Sequence, residues 1–148
     1  MKYPLIFALT MAIAVAAPPR SLAFVRLYNG ANSGFTRNSD FVIQDADEFA
    51  RRWKGVLQGD PEAAMPEVNF EKTTVMLVAT GIRNTDGHSV RVDSVVKETN
   101  VVTVHYTVTS PGGRCMSLQI LSSPIEVISL DKLTGAVKFK KHDVKKGC

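Results

Sequence analysis

The sequence predicts an α+β domain: a mainly antiparallel β-sheet, sandwich- or barrel-like, with one packed amphipathic helix near the N-terminus. Three observations predict it. Residues 101–109 alternate strictly, with Val102, Val104, Tyr106 and Val108 on one side and Thr103, His105, Thr107 and Thr109 on the other; period-2 alternation is the mark of a half-buried strand. Only one segment, residues 45–57, has helical periodicity. The apolar runs after residue 70 are separated by connections shorter than the dozen residues a parallel crossover needs, which favours antiparallel pairing.

Each element follows in order. Residues 24–28 alternate and read as a short strand. Residues 29–38 are rich in Gly, Asn and Ser and read as a loop, and Phe41-Val42-Ile43 is a second short strand. In residues 45–57, Phe49, Trp53, Val56 and Leu57 fall at i, i+4, i+7 and i+8, one face of a helix. Asp45 and Glu48 have capping-box spacing. Gly59 and Pro61 stop the helix. Trp53 is expected to pack this helix onto a sheet. Residues 58–70 form a polar, Pro-bearing connection. Residues 74–80 are a continuous apolar run, short enough for a central strand. Strands are then expected at residues 89–97, 101–109, 116–121, 125–130 and 136–140, the last with Val137 and Phe139 inward.

The chain has 148 residues, 45% hydrophobic and 22% charged, which sets aside collagen-like, coiled-coil and disordered classes. Residues 1–23 read as a secretory signal peptide: an early Lys2, an apolar stretch from Leu5 to Ala17, and the small-x-small end Ser21-Leu22-Ala23. A cut near Ala17 is the alternative. The apolar stretch is shorter than the roughly 20 residues that span a bilayer. Residues 24–148 then form a single exported domain, secreted or periplasmic, with no Cys near the cut for lipid attachment. Losing Lys2 and Arg20 lowers the formal charge from +4 to +2. The remaining excess sits in Lys138, Lys140, Lys141, Lys145 and Lys146, read as a solvated final strand with a frayed end. Those lysines have no aromatic interleaving, so no nucleic-acid partner is expected.

Cys115 and Cys148 are the only cysteines. An exported chain with an even count suggests a disulfide between them; two free thiols are the rival reading. The three histidines, His88, His105 and His142, have no metal-ligand spacing, so neither metal nor cofactor is expected. The one conceivable catalytic pair is Cys115 with His105, a hydrolase reading that a disulfide removes. No Gly-x-Ser-x-Gly elbow or phosphate-cradling Gly loop occurs, and no enzymatic activity is expected. Two Gly-bearing loops remain: Gly81 to Ser89, where Asp86-Gly87 is a hairpin signal, and Thr109 to Cys115. Loops longer than a minimal turn can present groups to a partner.

At these loops the sequence resembles the PrcB C-terminal domain family, known for a protease-complex subunit. Gly81, Arg83, Thr85, Gly87, Ser89 and Val90 match one stretch of the family. Ser110, Pro111, Gly112, Cys115 and Met116 match a second, continued by Gln119, Ser123 and Pro124. Asn32-Ser33-Gly34, the Phe49–Trp53 helix and the Pro66 to Phe70 lead-in extend the likeness to roughly residues 27–130. The chain departs from the pattern at Asp86, His88, Arg114 and Asn69. The resemblance implies an exported, non-enzymatic protein that binds or stabilises a protease or another envelope protein. The implied contact residues are Arg83, Asn84, Thr85, Asp86, Gly87 and His88 with Ser110, Pro111, Gly112 and Arg114. A protease inhibitor that inserts its Gly loop into an active site is the alternative.

Overall fold

The computed structural model describes residues 11–148. Ten of the 23 residues of the expected leader, residues 1–10, lie outside the described residues. Eight strands and one helix follow in the order β1 (Arg20–Leu22), β2 (Val25–Gly30), β3 (Asn38–Ile43), α1 (Ala46–Gly59), β4 (Thr73–Thr80), β5 (Ser89–Lys97), β6 (Val101–Pro111), β7 (Ile125–Asp131) and β8 (Ala136–Lys146). They form two four-stranded sheets, β1-β5-β6-β8 and β2-β7-β4-β3. The α+β expectation holds as two stacked sheets and a helix, not a closed barrel.

The second sheet is the middle layer, and its composition dictates this. Along β4, Met76 and Val78 face the first sheet, where they join Val90, Val92, Val95, Val104, Tyr106, Val108 and Ile128 in one core. Val75, Leu77 and Ala79 face the other way, onto Phe49, Trp53 and Val56 of α1. A strand covered on both faces must be apolar at consecutive positions, which is why residues 74–80 show no alternation. Strand β6 is covered on one face only, and its buried residues are the four that alternation predicts.

Helix α1 starts where its cap says it should. Asp45 is extended and its carboxylate accepts the Glu48 N–H at 2.8 Å. Trp53 packs edge-on against Tyr28 and Phe49. Gly59 lies at the helix end because a Cβ there would meet the Asn32 carbonyl oxygen at 2.2 Å. Leu57 departs from expectation: it is 38% exposed, outside the buried Phe49–Trp53–Val56 face.

Three further expectations are corrected. Residues 116–121 form no strand, and they are exposed throughout. The final strand extends to Lys146 instead of fraying, because β8 pairs with β6 over its whole length. That pairing is parallel, against the antiparallel trend. It is possible because β7 intervenes in the other sheet and supplies the crossover. Apart from these corrections, residues 20–22, within the span expected as leader, form the short strand β1 at the edge of β5.

Candidate functional site: two inter-sheet loops at one end of the molecule

The connection from β4 to β5 passes from one sheet to the other, and so does the connection from β6 to β7. Asp86-Gly87 therefore turns a crossover, not a two-stranded hairpin. Both loops emerge at the same end, where they are laced together by main-chain hydrogen bonds. Arg83 and Ser122 exchange N–H···O=C bonds of 2.7 and 3.0 Å. The Asp86 N–H donates to the Leu118 carbonyl at 3.1 Å, and the Leu118 N–H donates back to the Asp86 carboxylate at 2.7 Å. The Ser122 hydroxyl donates to the Thr85 carbonyl at 2.7 Å.

Glycines permit this path. Gly81 and Gly87 have φ of +76° and +80°, a region costly for side chains. At Gly81 a Cβ would also meet the Arg37 backbone at 2.6 Å. His88 sits between two hydroxyls, with Nε2 3.0 Å from Thr85 Oγ1 and Nδ1 3.2 Å from Ser110 Oγ. Burial, then the Arg83 guanidinium, pushes His88 below the ordinary imidazole range, while Asp86 opposes them. The Arg83 Nε is buried without a hydrogen-bond partner among the described residues.

The second loop is anchored from the other side. Cys115 and Cys148 are bridged, with Cα atoms 5.4 Å apart. The Gly112 N–H donates to the Lys146 carbonyl at 3.1 Å. Gly87 lies against the Pro111 ring. A shallow recess of about 310 Å3 runs between Gly87, Pro111, Met116 and the disulfide. It is open, and near the lower limit for small-molecule pockets.

The structure thus brings together Arg83, Thr85, Asp86, Gly87, His88, Ser110, Pro111 and Gly112. Asn84 and Arg114 lie on the same loops, exposed and without side-chain partners in the network. The pair Cys115 and His105 is not assembled. The Cys115 sulfur is in the bridge, and His105 sits on the outer face of β6 with its Nδ1 3.3 Å from Nε2 of His142. Among the described residues no cluster of three His, Cys, Asp or Glu side chains could hold a metal ion.

Sequence reasoning missed the most exposed part of the site. Met116 is fully exposed, and Leu118, Ile120 and Leu121 are 64%, 55% and 67% exposed. Apolar positions 116, 118 and 120 alternate with Ser117 and Gln119, the pattern of a half-buried strand. The signal that could have found it is the flank. Gly112-Gly113 before the run and Ser122-Ser123-Pro124 after it mark it as part of one long connection between strands.

Also missed was Glu126, fully buried in β7 and facing the first sheet. Its carboxylate accepts from the Val92 N–H, from Arg26 Nε at 3.1 Å and from Asn29 Nδ2 at 3.2 Å. Strand β5 has a bulge between Val92 and Ser94, which frees that N–H from the ladder.

This fold and site define a class: a layered α/β/β domain with two braced loops at one end. Residues 74–131, from β4 to β7 and including both loops, match the family described as PrcB C-terminal. The likeness read from the loop motifs holds over that segment. No curated protein and no solved structure matches the chain.

Proposed function

We propose that this protein is an exported, non-enzymatic binding module, an accessory or stabilising subunit of a protease or envelope complex. It docks through the loop end. The observation that carries this reading is the exposed run Met116, Leu118, Ile120 and Leu121. Several aliphatic side chains in one short segment leave an apolar patch in water, and such patches mark interaction sites. The run is held by the Asp86–Leu118 bonds and the disulfide, so docking it costs little ordering entropy.

The PrcB C-terminal match supports a protease-complex context. The disulfide supports an oxidising compartment, and no helix among the described residues is long and apolar enough to cross a membrane. The bridged Cys115 supports a non-enzymatic role.

Crosslinking in the native compartment tests the reading. Wild-type protein is expected to hold a protein partner, and Leu118→Asp to lose it while keeping its melting temperature within about 2 °C, since an exposed substitution changes stability little. An identical crosslinked set for both proteins refutes the assignment. Inhibition of papain-like or subtilisin-like proteases by the isolated protein would identify it instead as a loop-inserting inhibitor.

A further inference from the structure

The apolar N-terminal stretch must end somewhere, and the fold constrains where. Strand β1 pairs with β5 in the register Arg20 with Lys97, Ser21 with Val96 and Leu22 with Val95. Leu22 and Phe24 pack against the core between the sheets, and the Arg26 guanidinium lies 5.2 Å above the Phe24 ring. A cut after Ala23 would strip β1 from the sheet and leave the β5 edge unpaired. It would also create a new ammonium group on Phe24, beside the Arg26 charge and the edge of the core. By contrast, residues 11–19 are exposed and form no regular structure. Nothing in the fold depends on them.

We infer that the leader is removed by hydrolysis of the Ala16–Ala17 bond, ahead of β1; this rests on the export reading above. Within residues 11–19, bond chemistry narrows the choice. Ala17–Pro18 and Pro18–Pro19 are tertiary amides with no N–H on the departing side. The next bond, Pro19–Arg20, adjoins the strand itself. Ala14-Val15-Ala16 supplies the small residues that leader cleavage needs at the first and third positions before the cut. Water adds across the bond, leaving a carboxylate on Ala16 and an ammonium on Ala17. The apolar run from Leu5 then falls within the 7–15 residues of an export signal.

N-terminal sequencing and intact mass of the product exported from the full-length chain decide the matter. A product beginning at Ala17 is expected. One beginning at Phe24 overturns this inference and leaves export standing. A chain that keeps Met1 and stays inside the cell overturns the export reading and this inference with it. Ala16→Phe is expected to abolish processing at this bond and Ala23→Phe to leave it unchanged, and the reverse pattern overturns the assignment. A recombinant chain starting at Phe24 should melt on the order of 5 °C below one starting at Ala17, as expected for a domain of this size losing a strand. Equal melting temperatures overturn the claim that β1 belongs to the domain.

Discussion

Glu126 and His88 each sit among several polar partners drawn from different strands and loops. Glu126 is 1% exposed, and Arg26 is its ion-pair partner at 3.1 Å. Its more important role is to satisfy the Val92 N–H freed by the β5 bulge. Glu126→Ala removes both and opens a polar void between the sheets. It is expected to destabilise by about 3 kcal/mol, measured by urea denaturation. Glu126→Gln keeps the acceptor for Val92 and should cost less; equal losses for the two would deny the acceptor role. His88 carries a pH dependence. Its folded imidazole titrates below the ordinary value, so the unfolded state takes up the proton first as pH falls. The His88 contribution is therefore present above about 6.5 and is lost as pH falls through the folded value. Thermal melts from pH 7.5 to 5 should show wild type losing stability relative to His88→Asn, and parallel profiles would exclude the effect.

At the scale of elements, β8 is the informative one. Its lysines project from an edge strand, where Lys discourages pairing with another chain's strand. Outward-facing Lys138, Lys140 and His142 lie beside Thr103, His105 and Thr107 in parallel register. The disulfide fixes the end of β8 to the second loop and closes a 33-residue span. In the loop-entropy account that is worth roughly 3–4 kcal/mol. The double variant Cys115→Ser with Cys148→Ser is expected to lose about that much. Amide exchange should accelerate first near Lys145, Lys146 and Gly112, because the Gly112–Lys146 bond depends on the bridge. Uniform acceleration along β8 would show that the bridge does not act locally.

For the whole molecule, the middle sheet joins two cores. Val75 and Leu77 pack under α1 while Met76 and Val78 pack against the first sheet, all on the same strand. Neither core survives loss of β4, so the domain should unfold in one cooperative transition. Fluorescence of Trp53, which reports the helix side, should coincide with far-UV circular dichroism, which reports both sheets. Separate midpoints would show two independent units.

The sequence by itself determined the secondary structure where one physical pattern dominated. Alternation marked β6, unbroken apolarity marked β4, and Asp45 with the Phe49–Trp53–Val56 face marked α1. It also placed the first of the two loops, because Gly81 and Gly87 are needed where φ is positive. Tertiary structure alone decided the rest, since those features depend on what lies across the chain. Residues 116–121 look like a strand, yet they lie in an inter-sheet connection that bonds the β4–β5 loop through Leu118 and leaves its side chains in water. Arg20 to Leu22 show no strand pattern of their own until β5 offers an edge. Glu126 shows no sign of burial until a bulge some 34 residues away presents it with an unpaired N–H.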